Sequence, residues 1–336
     1  MKKMVNNDGK NSIAGIWGYL YEVDTNPDNM HALKVRETGP NSKNPGTTYI
    51  GGEIKIATDE ACTNIVTVNY AYVPEFYAAK GDKPQRENTT FTLLKRIING
   101  ELKTVMNSSK EEAVKVKASP TIGLNEFYVE NREGGTEPTF ISTKINNGGF
   151  LSTVSQLPEN ENSRAMFDVD FFIKGTRTIE ADEENDRPEK LILSGAVFNY
   201  SGALLPVEFS VTDPAAINYF ENCEISNSNP LFTRVKGKQI SNVVTTKREE
   251  QGAFGEPIVK EFTSTRKDWV ITWAAAEPYE FPSDDLTTED LQKAMQDREL
   301  HLAELKQRYL DRQAAKQNGG ASAFSGAALA PGGFNF

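Results

Sequence analysis

Along most of residues 13–275 apolar side chains alternate with polar ones, the period-two pattern of strands that bury one face. The first such run is Ile13 to Val23. In it Trp17, Tyr19 and Tyr21 share one parity and Ile16, Gly18 and Leu20 the other. A long polar connection rich in Asn, Pro and Gly follows, from Asp24 to Thr48, interrupted by Leu33-Lys-Val-Arg36. Two more strands are predicted over Tyr49 to Ala57 and Asn64 to Val73. The period then changes to that of a helix over Asn88 to Asn99, with Thr89 or Thr90 as cap, Phe91, Leu94, Ile97 and Ile98 on one face, and Gly100 as the stop. A second helical patch is predicted over Ser109 to Lys117, and strands return over Thr121 to Glu130 and Thr139 to Ile145.

The second half repeats this order. Strands are predicted over Phe167 to Ile179, Leu191 to Tyr200 and Leu204 to Val211, the last two joined at Ser201-Gly202. A short helix over residues 213–220 has Asp213 as N-cap and Pro214 at its first position. Strands over Pro230 to Thr246 and Pro257 to Trp273 complete the set. Three strands, a helix and two strands, twice over, is the order of the OB-fold, a frequent carrier of single-stranded nucleic acid. The predicted fold class is therefore mainly β: two OB-fold-like barrels in tandem, plus a C-terminal helix and a disordered tail. The expected organisation is a flexible N-terminus over 1–12, a first barrel with a helical insertion over 13–150, and a second over 163–276. The boundary falls at Asn146–Gly149 or in Leu157–Asn162. An acidic linker, Glu277 to Pro282, leads to a helix over 283–316 and a Gly/Ala-rich tail over 317–336. In the helix Thr287 is the N-cap, and Leu291, Met295, Leu302, Leu305 and Tyr309 form an apolar seam that Arg298 interrupts. The seam suits docking on the second barrel or self-association as a homo-oligomer.

The chain has 336 residues, room for two domains, and a formal charge of -10. The average surface thus repels nucleic acid, and any binding groove must carry a local positive stripe. Cys62 and Cys223 form no C-x-x-C pair, so neither a disulfide framework nor a zinc site is expected; His31 and His301 have no partner at metal-ligand spacing. The run Glu180 to Asp186 lacks the Gly and distal Glu of a calcium loop and reads as a solvated turn. Nucleotide-binding and hydrolase signatures such as G-x-x-x-x-G-K-[ST] and G-x-S-x-G do not occur. No apolar run approaches the ~18 residues of a membrane span, and the start lacks the apolar core of a signal peptide. The expectation is a cytoplasmic, non-enzymatic protein with no cofactor and no metal.

Candidate binding residues come from basic and aromatic side chains in strands. Arg234, Lys236 and Lys238 alternate along one strand; Arg266 and Lys267 lie on the next; Lys34, Arg36 and Lys43 lie in the long connection. These would meet phosphates. Trp17, Tyr19, Phe232 and Trp269 would stack on bases, at roughly 1–3 kcal/mol for each base. The aromatic stripe of the first strand, Trp17, Tyr19 and Tyr21, also suits core packing or packing under a helix.

Several segments together resemble the single-stranded DNA-binding proteins of phages, prophages and mobile elements of Gram-positive bacteria. They are Gly15-Ile-Trp-Gly-Tyr-Leu-Tyr21, Leu124-Asn-Glu-Phe-Tyr128 with Asn147-Gly-Gly-Phe150, Gly195-Ala-Val-Phe-Asn-Tyr200, and Phe232-Thr-Arg-Val-Lys-Gly-Lys238. The resemblance implies OB-fold modules, sequence-tolerant coating of single-stranded DNA and a role in DNA replication or recombination in the bacterial host cell. The tail, with Phe334 and Phe336, is similar to the tails by which bacterial single-stranded DNA-binding proteins recruit replication or recombination partners. It departs from them in having no acid after Asp311. A β-rich phage structural or assembly protein is the alternative, with the aromatics as core and the long helix as an assembly contact.

Overall fold

In the computed structural model, β1 (Ile13–Glu22) is the strand at which the two halves meet. The structure describes residues 13–317 apart from 80–83, 132–134, 136, 182–187, 200–201, 251–257 and 285. The acidic run over 182–186 and the tail residues Phe334 and Phe336 lie outside the described residues. Strand β1 is followed by β2 (Lys34–Glu37), β3 (Thr48–Ala57) and β4 (Ile65–Pro74), with a small ribbon, β5 (Phe76–Tyr77) and β6 (Arg86–Glu87), before helix α1 (Thr89–Ile98). Then come β7 (Lys115–Val129) and β8 (Thr139–Thr153). Strand β1 pairs with β3 and β7, β3 with β4, and β7 with β8; a short parallel contact, Val68 with Asn146 and Asn69 with Asn147, closes β4 onto β8. The resulting circuit β1-β3-β4-β8-β7 is an OB barrel, with α1 between its third and fourth strands.

The second half is β9 (Ala165–Ile179), β10 (Lys190–Phe198), β11 (Leu204–Val211), α2 (Pro214–Asn222), β12 (Leu231–Glu250) and β13 (Ile258–Ala274). It closes in the same way, through a parallel contact of Ser210 with Val270. Strands β1 and β9 are the first of their barrels. They pair antiparallel over Ile13–Ile16 and Ala165–Asp168, which among the described residues makes the two barrels one eleven-stranded sheet.

Each barrel buries the parity that the alternation marks as apolar. The first core holds Ile16, Leu20, Ile54, Val68, Tyr70, Phe91, Leu94 and Leu151. The second holds Phe167, Phe171, Leu193, Phe209, Phe220, Val235 and Trp269. Helix α2 is capped by Asp213, which accepts from Ala216 N at 3.0 Å, as its sequence predicts. Helix α1 is capped one position earlier than predicted, by Asn88, because the Asn88 side chain accepts from Thr90 N at 3.1 Å and frees the Thr90 hydroxyl to accept from Leu151 N. Gly100, at φ +72°, ends that helix.

Other expectations are corrected. Residues 109–117 are not a helix: 109–113 form a turn, and β7 begins at Lys115, where its pairing with β1 and β8 outweighs local helical propensity. Asn146–Gly149 lies inside β8, where Gly149 (φ +85°) brings the backbone so close to Ser119 that a Cβ would sit 2.0 Å from its carbonyl oxygen. The segment over 277–282 is packed: Tyr279 and Phe281 cover Phe172 and Phe232, and the Tyr279 hydroxyl donates to Asp170 Oδ1 at 2.8 Å.

The β7–β8 hairpin runs beyond its own barrel. Ile122 and Leu124 join the core of the second barrel, and Lys144 places its ammonium over the rings of Phe209 (4.9 Å) and Trp269 (5.5 Å) while donating to the Glu208 carbonyl. Nearby, Asn146 and Gln239 exchange two side-chain hydrogen bonds of 2.8 Å, and Asn64 accepts from Ser241 N at 2.6 Å. The C-terminal helix α3 (Thr288–Gln317) starts against the second barrel through Leu286, Leu291 and Ala294. It continues along the same hairpin, where Arg298 forks onto Glu126 and Tyr309 meets Tyr128 at 6.4 Å. Arg298, which interrupts the apolar seam, is thus the ion-pair anchor of that helix.

Candidate nucleic-acid interface

The second and third strands of an OB barrel and the loops after the first and fourth strands make its usual oligonucleotide face. In the first barrel that face is β3 and β4, extended by β2, which pairs Arg36 with Tyr49. Strict alternation would bury Tyr72 beside Val66, Val68 and Tyr70. Between Val73 and Tyr70, however, β4 carries one residue more than β3: Ile50 pairs with Val73 and Gly52 with Tyr70, so Ala71 and Tyr72 stand against Gly51 alone. Such a bulge re-aims the side chain. Tyr72 consequently points out, 44% exposed, with its ring 4.9 Å from that of Tyr49 and tilted by 37°. Arg36 lies next to Tyr49. A Cβ at Gly51 would meet Arg36 Nε and Tyr49 Cε2, each at 3.5 Å, so the glycine leaves room for the guanidinium beside the ring. Arg36 Nε is buried and has no hydrogen-bond partner among the described residues. Lys34 is occupied otherwise: its ammonium donates to Pro27 O at 2.8 Å and stiffens the long connection. Tyr49 and Tyr72 are not among the sequence candidates, because alternation gives no sign of the extra residue that turns Tyr72 outward.

The other sequence candidates divide by the face on which they fall. Arg234, Lys236 and Lys238 do share the outward face of β12, opposite the buried Val235, Gly237 and Gln239. Arg234 is not free for a phosphate: Asp168 accepts from its Nε and Nη2 at 2.7 and 2.8 Å, which raises the guanidinium pKa above its ordinary value. Burial lifts the Asp168 carboxyl, but these hydrogen bonds and the nearby cations outweigh it and leave its pKa lowered. Lys236 reaches Asp168 at 3.6 Å and stands 5.1 Å from the Trp273 ring, and Lys238 donates to Asn162 Oδ1 at 3.1 Å.

Three rings expected to stack on bases are buried. Tyr19 is 7% exposed, Phe232 2% and Trp269 8%. Tyr19 is covered by the turn over 103–114 and donates to Glu60 Oε2 at 3.0 Å; Phe232 is sealed by Tyr279; Trp269 fills the second core against Phe167. None presents a face to a base. Trp17 is half-buried, with the Lys117 ammonium 4.5 Å above its ring. Lys267 is exposed on β13, and Arg266 pairs with Asn242 in the same hairpin.

Among the described residues no group of three or more His, Cys, Asp or Glu is arranged to hold a metal ion, and no helix is long and apolar enough to cross a membrane. Both cysteines are free thiols.

No curated protein matches the chain. Among solved structures, it is similar to a deletion mutant of the single-stranded DNA-binding protein from Thermus aquaticus, with 9% identity over 84% of this chain and 100% of that one, at a TM-score of 0.41. A model of the YorF family matches residues 29–308, which takes in the first barrel from β2 onward, the whole of the second and most of α3. The chain belongs to the YorF family.

Proposed function

We propose that this chain is a non-enzymatic protein that binds and coats single-stranded DNA with little regard to sequence, in the service of DNA replication or recombination. The observation that carries the reading is the exposed Tyr72 ring against the half-buried Tyr49, beside Arg36, on the β3–β4 face of an OB barrel. Two tilted rings offer π-faces that any base can stack on, and a guanidinium held beside them can meet the phosphate that accompanies each base. The chain's overall charge of -10 leaves such local cations as the attractive element and discourages adhesion elsewhere.

The test is oligothymidylate binding by Tyr72→Ala, Tyr49→Ala and Arg36→Ala. Loss of one stacking ring is worth about 1–3 kcal/mol, so each tyrosine variant should bind about 5- to 150-fold more weakly with an unchanged circular dichroism spectrum. Arg36→Ala should bind more weakly and with a shallower salt dependence. Wild-type affinity in all three variants would remove this face from the reading.

A further inference from the structure

Where the sheet passes from one barrel to the other, its outward side is continuous through β8, β7, β1, β9, β12 and β13. Two indole–ammonium pairs stand on it. Lys117 and Trp17, cross-strand partners on β7 and β1, lie 4.5 Å apart; Lys236 and Trp273, partners on β12 and β13, lie 5.1 Å apart. Trp273 is 47% exposed, and at the far edge Phe150, paired with Ser119, is 64% exposed. Following the register from Lys236 to Asp168 to Ile13 places the second pair three strands and four residues from the first. At ~4.8 Å per strand and ~3.3 Å per residue the two lysines are on the order of 20 Å apart, with Lys238 between them.

We propose that this junction face is a second track for single-stranded nucleic acid, continuing a strand whose first contacts are made at Tyr49 and Tyr72; the inference rests on that reading of the β3–β4 face. Charge selects the occupant. Lys117, Lys236 and Lys238 share this face with Asp168, whose carboxylate takes two bonds from Arg234 and lies 3.6 Å from Lys236, while Asp170 is covered by Tyr279. The two indole–ammonium pairs are thus local cationic points on a chain of net charge -10, while Asp59 and Glu161 line the cleft beside Lys238. A symmetric contact with a second copy would set these lysines against their own counterparts, whereas a polyanion is attracted to all of them. The aromatic side chains at both ends supply stacking surface for bases, and each indole keeps an ammonium within reach of the adjoining phosphate.

The test compares wild type with Lys117→Ala/Lys236→Ala and with Trp273→Phe, using oligothymidylates of about 8 and about 30 nucleotides, within and beyond the span of one OB fold. With the long strand, the double variant should bind more weakly and lose about 1.4 from the slope of log K against log salt, two phosphates at about 0.7 each. Binding of the short strand should stay at the wild-type level. Trp273→Phe should lose part of the fluorescence quenching produced by the long strand only. Unchanged slope and quenching with the long strand, in a protein that still binds the short one through Tyr72, would overturn the second track and leave the first. A fall in molecular mass by light scattering with unchanged DNA binding would instead assign the face to a second copy. Absence of short-strand binding by the wild type would overturn both.

Discussion

The reciprocal amide pair between the barrels defines a double-mutant cycle whose outcome follows from geometry. Asn146 and Gln239 are buried and exchange two hydrogen bonds of 2.8 Å, and Asn146 Nδ2 also donates to Thr67 O at 3.0 Å. In Gln239→Ala, Asn146 Nδ2 keeps Thr67 while Asn146 Oδ1 loses its donor. A buried acceptor left unpaired costs about 1–3 kcal/mol, on top of the ~1 kcal/mol net value of an ordinary hydrogen bond. Asn146→Ala strands both ends of the Gln239 amide and the Thr67 carbonyl, at a cost of similar or larger size. The double variant removes both amides together, so its destabilisation should fall short of the sum of the single losses by about 1–3 kcal/mol. Urea denaturation followed by tryptophan fluorescence reads the cycle, because Trp269 sits in the second core. Additivity within about 0.5 kcal/mol would refute the pair as a coupled bridge between the barrels.

Further outcomes follow from the charged groups that hold the barrels and the helix. Burial against Phe209 and Trp269 pushes the Lys144 ammonium down to about 8 from its ordinary 10.5, so the folded state sheds this proton first. Stability should rise with pH between those values, and Lys144→Met should flatten the rise; superimposable urea-midpoint profiles for the two proteins would contradict this. Hydrogen bonds from Arg164, and then from Tyr19 and Lys110, hold the Glu60 carboxyl down at about 2 against an ordinary 4.5. Its contribution to stability is therefore present above pH 4.5 and lost as pH falls through 2, and Glu60→Gln should unfold at a higher pH in an acid titration. Arg298→Ala leaves the buried Glu126 carboxylate without its fork, at about 3–5 kcal/mol, and should expose residues 288–317 to limited proteolysis; combining it with Glu126→Leu should restore protection.

Strand order was legible because each barrel strand buries one parity, and two rounds of three strands, a helix and two strands imply this closure. The positions of both barrel helices were legible for the same kind of reason, since Pro214 and Gly100 punctuate them locally. Alternation does not say which parity meets protein and which meets water. Trp17, Tyr19 and Tyr21 all point out of the first barrel, yet only the turn over 103–114 decides that Tyr19 is buried, and that turn is distant in sequence. Phe232 was lost as a stacking ring for a similar reason, because Tyr279 and Phe281 fold back over it from a segment that reads as a linker. Tyr72 was hidden by the opposite effect, a one-residue bulge that reverses the parity on which the reading depends. The cationic parity of β12 was visible, but not the Asp168 carboxylate that occupies Arg234, since that contact depends on the pairing of β9 with β12.

Equilibrium titration of the full chain with single-stranded and duplex oligonucleotides, each at two salt concentrations, tests the central claim most directly. The chain has three tryptophans, and with Trp269 buried the signal should come from Trp17 and Trp273. Saturable quenching by oligothymidylate, weakening as salt rises and several-fold stronger than with duplex of the same length, is the predicted result. Equal or tighter binding to duplex, or no binding to the single strand at low salt, would contradict the account.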